Sequence, residues 1–539
     1  MARLRGNPWA ILVVLCAGFF MILLDTTIVN IAIPSIIDAL KASLDEILWV
    51  LNAYILVYAV LLIIAGRLGD LYGQRNVFAI GLAIFTISSA LCGFSQSTGQ
   101  LIAFRVLQGL GGALLTPQTL AILTTLFPPE RRGAAFGVWG GVAGLASIAG
   151  PTLGGFLVTD VNWRWIFYVN VPIGIAAFVA IFLLMPDIRP GRRHSLDLVG
   201  VLLSTAGLFC ITFGLIEGQK FDWGTVTGFL TIPEIIAAGG VLVLAFFVWE
   251  RFQTEPLVPL SLFSNRNFSI TNLVSALIAF GMLGLFLPFV IYLQSVLGMS
   301  ALNAGLAIAP MSLISMPIAP FAGRMADRIG GKYILMTGLA LFAIGMAVLD
   351  WSAGLNSDWK SFLPGVLIAG AGLGCTFAPL TTVAMRNIQP RMAGAASSVL
   401  NTTRQLGAVV GSATIGAILQ NRLATALHDE ALRRSVQLPA QFRQRFVDGF
   451  NGAAKAGLNV GRGQTGSAAQ TPAGVPPDVA RQLAQVAHDT FVNAYLNAMR
   501  PTLIFPVVLL AIGSLSCTLI VRRKRGAPAQ ESAEAIPAS

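Results

Sequence analysis

Two ionisable residues stand inside stretches almost free of charge. Asp25 falls near the middle of the first apolar run, and Arg105 falls within the fourth. A carboxylate at the centre of a membrane-spanning helix costs about 2.5–3.5 kcal/mol on insertion scales. Protonation removes the charge, so burial and proton uptake are coupled at such a site. Asp25 therefore reads as a proton carrier that also attracts cationic substrates; the alternative is a structural acid capping Thr26 or Thr27. Arg105 keeps its charge and can stabilise a nearby carboxylate without giving up a proton. Arg105, Gln108, Gly109 and Gly112 follow i, i+3, i+4, i+7 spacing and share one helical face. A purely structural intramembrane pair is the alternative there.

Other polar and aromatic residues within apolar runs are candidates for a substrate cavity. Asn30, Tyr54, Tyr58 and Gln108 lie in the first half of the chain. Phe280, Phe286, Phe289, Phe377, Asn401, Arg404 and Gln405 lie in the second. Helix–helix contacts explain the polar ones equally well, and packing or lipid contact the rings. Small residues recur every three or four positions at Gly137, Gly140, Gly144, Ser147, Pro151 and Gly154. Such a stripe lets helices approach closely, and Pro151 beside Gly150 and Gly154-Gly155 favours a kink in a moving seam over simple packing.

The elements that position these residues follow from composition. Of 539 residues, 55% are hydrophobic and 11% charged, and the mean hydropathy is +0.76. Soluble proteins carry about 25% charged residues, so the chain cannot cover several aqueous domains. Stretches of about 20 apolar residues span a bilayer as helices. About fourteen are present, starting near Trp9, Glu46, Asn76, Gly99, Gly133, Arg164, Leu196, Thr225, Phe268, Asn303, Lys332, Ser361, Gly394 and Pro501. The first follows Arg3 and Arg5 and runs past a usual signal-peptide core, so it reads as an uncleaved helix. With a cytoplasmic amino terminus, 20 basic residues fall inside, and the short outer loops hold only Lys41, Arg164, Lys220 and Lys360. An even number of spans puts both termini on the cytoplasmic side.

The net charge of +11 is spent on these loops and the ends, so nucleic acid is not an expected partner. Cys16, Cys92, Cys210, Cys375 and Cys517 all sit in apolar runs without a CxxC pair. His194, His428 and His488 sit in polar segments. No metal, cofactor or nucleophile–base constellation is expected, and the chain does not read as an enzyme. Gly331-Lys332 lacks a phosphate-binding loop around it, so no ATP site is expected. An ion gradient is the remaining energy source, and the membrane potential alone supplies ~2.3 kcal/mol per charge per 100 mV.

The chain also repeats itself. Gly66, Arg67, Asp70, Gly73 and Arg75 match Gly323, Arg324, Asp327, Gly330 and Lys332 at a separation of 257 residues. Pro117 matches Pro379, and Gly133-Ala134-Ala135 matches Gly394-Ala395-Ala396, at slightly larger separations. Duplicated halves around a midplane site are a common transporter design. The repeat is chemically one-sided, because Leu367 takes the place of Arg105 in the second half.

The Gly66–Arg75 loop resembles the signature of the major facilitator superfamily. Four further stretches resemble motifs of its 14-helix drug:proton antiporter family of multidrug efflux transporters: Leu24–Pro34, Arg105–Gly112, Gly150–Gly155 and Trp163–Pro172. The resemblance implies an all-α polytopic membrane protein of the major facilitator fold, with two pseudo-symmetric six-helix bundles plus two extra helices. It divides the chain into a first bundle at 1–190, the inserted pair at 191–252, and helices 9–13 at 253–421. An outer loop at 422–500, the last helix at 501–525 and a cytoplasmic tail at 526–539 complete it. It further implies that Arg105 assists proton transfer with Asp25, that Asp70 gates the inner side with a basic partner such as Arg131 or Arg132, and that the Gly150–Gly155 motif belongs to antiporters. No acid lies deep in the tenth or thirteenth span, where some polyspecific relatives carry one. The expected function is proton-coupled export of amphipathic small molecules or antibiotics by alternating access, by a monomer in a bacterial plasma membrane. Rival readings are a narrow exporter of a metabolite, amino acid, lipid or siderophore, and a proton-linked uptake symporter, which the Gly150–Gly155 motif disfavours.

Overall fold

A computed structural model describes residues 6–127, 135, 138, 142, 145, 146, 149–186, 197–218, 221–253, 256–386, 388, 392–455 and 477–521. Within them the chain is helical apart from short helical turns, loops and one small antiparallel pairing, Thr225–Thr227 with Leu230–Thr231. That is what lipid demands, since every backbone polar group crossing it has to be satisfied internally.

The first half opens with α1 (Pro8–Leu40), α2 (Leu44–Tyr72), α3 (Gln74–Phe94) and α4 (Thr98–Leu126), and closes with α5 (Asn170–Leu184). Their starts are encoded locally. Asn7 Oδ1 accepts from Trp9 N at 3.0 Å, with Pro8 in the first turn. Ser43 and Glu46 form a reciprocal capping box at the head of α2. The inserted pair is α6 (Leu198–Glu217) and α7 (Ile232–Glu250). The second half holds α8 (Arg266–Ile291), α9 (Ala301–Ile329), α10 (Gly331–Ser352), α11 (Trp359–Gly374), α12 (Phe377–Met385) and α13 (Ala393–Ser435), then α14 (Ala440–Lys455) and α15 (Pro477–Ser516).

Twelve of the described helical stretches are long and apolar enough to cross a membrane. The expected fifth span lies largely outside the described residues, which include its closing helical turns at 149–156. The expected thirteenth is α13, which is diluted by the run Asn401-Thr402-Thr403-Arg404-Gln405 and packs against α2, α8 and α15 rather than facing lipid alone. Where it is described, the segment 422–500 is helical apart from a turn at 436–439. α13 has 43 residues and α15 has 40, which at 1.5 Å per residue is about 60 Å each, roughly twice the hydrocarbon thickness. Both helices therefore project beyond the bilayer, with α14 packed on α13.

The repeat is visible in the backbone. Gly73 has φ 90° and ψ 132°, and Gly330 has φ 93° and ψ 141°. Each ends one helix and starts the next in a conformation that side chains with a Cβ resist. The basic residues two positions on do the same work in each half. Arg75 Nη1 donates to Met185 O at 3.2 Å, and Lys332 Nζ donates to Thr518 O at 2.5 Å.

The inserted helices form a hairpin laid across both halves. α6 packs against α2 and α13. At one end Trp49 Nε1 donates to Glu217 Oε1 at 2.9 Å, while the Trp49 ring lies 5.6 Å from Phe209. At the other end Trp249 Nε1 donates to Asp197 Oδ1 at 2.9 Å, and Val258 N to Glu250 Oε2 at 3.0 Å.

Candidate functional site

Asp25 and Arg105 meet, and both are buried. Arg105 Nη1 donates to Asp25 Oδ2 at 2.5 Å and to Gln108 Oε1 at 2.7 Å. Gln108 Nε2 donates to Asp25 Oδ1 at 2.9 Å. The three side chains close a triangle in which both carboxylate oxygens are held. Helical spacing makes it possible, because Arg105 and Gln108 are one turn apart on α4. The guanidinium is anchored from a third helix, where Nε donates to Val50 O of α2 at 3.1 Å. The Tyr54 ring lies 4.2 Å from its central carbon, a cation–π distance.

The threonines beside Asp25 do not use it. Thr26 Oγ1 donates to Leu23 O at 2.8 Å, and Thr27 Oγ1 to Leu23 O and Leu24 O at 3.1 and 3.0 Å. The capping alternative for Asp25 therefore fails. Asn30 turns its Nδ2 back to Thr26 O, and its buried Oδ1 has no partner among the described residues.

A second polar group joins the halves near the middle of α2. The Tyr58 hydroxyl lies 2.9 Å from Thr116 Oγ1 of α4 and faces Arg404 and Gln405 of α13. Tyr54 and Tyr58 stack with centroids 6.0 Å apart, and the buried Tyr54 hydroxyl has no partner among the described residues. The Arg404 guanidinium carbon lies 6.0 Å from the Phe377 ring centroid. Asn401 is half-buried on the same helix. Two of the candidate cavity rings lie among other rings. Phe289 lies tilted against Tyr292 and edge-to-face with Phe362, and Phe280 lies against Phe505. An aromatic repeat in an apolar run carries no sign that separates these roles. A separate cleft between α13 and α15 is lined by Ile418, Asn421, Arg422, Thr425, Pro501 and Phe505.

The Gly150–Gly155 stretch lies where three helices meet. A side chain at Gly150 would strike Thr27, two residues from Asp25, and one at Gly154 would strike Ile28. Gly155 faces the backbone of Leu302 on α9, and the Pro151 carbonyl faces Gly305 one turn further on. The stretch thus touches α1 on one side and the second half on the other. Three hydrogen bonds that sequence reading missed also cross between halves. Leu302 N donates to Thr159 Oγ1 at 3.0 Å, Gln294 Nε2 to Ile31 O at 2.9 Å, and Ser412 Oγ to Asn52 Oδ1 at 2.5 Å. Gln294 and Asn52 are polar residues in apolar runs, the one sequence signal that pointed to them.

The Gly66–Arg75 stretch, expected to be a loop, is helical except at Gly73: it closes α2 and opens α3, and it packs on α4. Gly66 faces Pro117, and Gln118 Nε2 donates to Ala65 O at 2.6 Å. Arg131 and the side chains of Arg67, Asp70 and Asp327 lie outside the described residues. Among the described residues no group of acids, cysteines and histidines is arranged to hold a metal ion.

The profile of the Major Facilitator Superfamily matches residues 15–412. An uncharacterized MFS-type transporter of Mycobacterium tuberculosis is 43% identical, covering 78% of this chain and 72% of its own. The tetracenomycin C resistance and export protein of Streptomyces glaucescens is 35% identical over 91% and 88%. Multidrug resistance protein 3 of Bacillus subtilis is 30% identical over 93% and 94%. In shape the chain resembles a bacterial homologue of the human lysosomal transporter Spinster, with a TM-score of 0.59 and 17% identity, covering 95% of this chain and 97% of that one. The helical architecture, the internal repeat and these matches agree: the chain is a multi-pass membrane protein and belongs to the major facilitator superfamily.

Proposed function

We propose that the protein is a drug:proton antiporter that expels amphipathic small molecules by alternating access. The observation that carries this is Asp25, buried in mid-helix with both oxygens held by Arg105 and Gln108. The relatives named for tetracenomycin C export and multidrug resistance support the direction of transport and the substrate class. Fourteen helices with both termini cytoplasmic, in a bacterial plasma membrane, are part of the same proposal, as is a monomer divided at 190, 252, 421 and 500. So are an inner gate built on Asp70 and Asp327 and a moving seam at Gly150–Gly155.

In this reading the inward-open protein binds its substrate with Asp25 ionised and paired. After the halves switch, a proton from outside binds an Asp25 oxygen and the pair with Arg105 loosens. The guanidinium stays charged and stays held by Val50 O and the Tyr54 ring. It can therefore recapture the carboxylate once the proton leaves to the cytoplasm. Binding that differs between the two conformations shifts their balance at each step, and the proton gradient drives the net cycle.

The test uses purified protein in liposomes under an imposed pH gradient, following a candidate antibiotic and internal pH together. Asp25→Asn is expected to fold and bind, yet to lose substrate-evoked proton movement. Wild-type coupling in that variant refutes the assignment of Asp25.

A further inference from the structure

The intramembrane charges are not balanced around the candidate cavity. Asp25 is neutralised by Arg105, so it presents no free negative charge to a substrate. Arg404 is different. It stands on α13, facing Tyr58 from the first half and Phe377 from α12. Among the described residues no carboxylate pairs with it. The side chain is half-buried.

An uncompensated cation at membrane depth is costly and marks a functional position. Guanidinium is a planar fork matched to carboxylates and other oxyanions. The groups around it suit an aromatic acid. Phe377 presents a ring, and Tyr58 and Gln405 present polar atoms. Resting on the export reading above, we infer that the cavity selects aromatic substrates carrying an acidic group. The substrate anion pairs with Arg404 while its ring system lies against the exposed Phe377 ring. The same charge repels lipophilic cations of equal size.

Fluorescein and rhodamine 123 test this, because they share a xanthene skeleton and carry opposite charge. Binding is measured by fluorescence anisotropy on the full chain in nanodiscs of zwitterionic phosphatidylcholine, so that no lipid anion competes. Wild type is expected to bind fluorescein at least tenfold more tightly than rhodamine 123. Arg404→Gln is expected to abolish or invert that preference, and Arg404→Lys to keep most of it. Equal affinities in wild type, a preference for rhodamine 123, no fluorescein binding, or a preference surviving in Arg404→Gln overturns the inference. The wild-type comparison stands even if Arg404→Gln does not fold. Proton coupling fails separately: liposomes in which Asp25→Asn moves fluorescein as wild type does refute the antiport reading and leave the dye preference intact.

Discussion

Gly155 offers the sharpest test of the seam. A Cβ at this position would sit 2.6 Å from Leu302 Cα, 2.9 Å from Ala301 O and 3.0 Å from Leu302 N. All three are backbone atoms of the second half, which cannot yield by turning a side chain. Gly155→Ala therefore overpacks only the conformation in which these ends are closed. Overpacking costs about 1–3 kcal/mol, which is about a 5–150-fold change in the ratio of two conformations. Gly154 is the control, since its Cβ would sit 2.6 Å from Ile28 Cγ1 within the first half. That contact does not cross the seam, so Gly154→Ala should lower stability without changing the ratio. Spin labels at the exposed positions Gln96 and Asn356, in a background without cysteines, report the separation of the halves at this end. The expected result is a longer distance in Gly155→Ala alone. An unchanged distribution, or an equal shift in Gly154→Ala, refutes the argument.

Three further outcomes are expected. Arg105→Lys keeps the charge but not the fork that reaches Asp25, Gln108 and Val50 O together; coupled transport should fall at least tenfold while the protein still folds, as a liposome flux assay will show. Trp49→Phe removes the hydrogen bond to Glu217, costing about 1.5–3 kcal/mol, and a thermal unfolding scan in detergent should show a lower Tm; an unchanged Tm means the hairpin is held elsewhere. Arg75→Ala and Lys332→Ala each free one helix-end carbonyl, and because they lie in separate halves their effects on Tm should add.

Much of the site was legible because charge is scarce in these runs. Asp25 and Arg105 stood out by type alone, and the spacing of Arg105 and Gln108 put both on one face. The repeat was legible because glycines at turns are fixed by backbone geometry, as Gly73 and Gly330 show. What escaped were contacts between distant segments through atoms the sequence does not distinguish. The Val50 carbonyl is one of many in an apolar helix, and nothing in Leu302 marks it as the partner of Gly155. The helical extensions of α13 and α15 were obscured because their polar composition resembles that of a loop. Phe280 and Phe289 sit among other aromatic rings, a neighbourhood that residue type alone does not foretell.

The hairpin laid across both halves has a consequence for how the protein meets its surroundings. In the most apolar window of α7 only 17% of residues are buried, and in α6 only 28%. Most of the pair is therefore solvated by acyl chains, while α6 rests on α2 and α13 at once. A bilayer thicker or thinner than the hairpin strains it at a cost of fractions of a kcal/mol per ångström. That strain is delivered to both halves through one shared element, so lipid thickness acts on the switching equilibrium as an effector would. Turnover measured across phosphatidylcholines of graded chain length should pass through a maximum, and deleting the tie at Trp49 should flatten the curve.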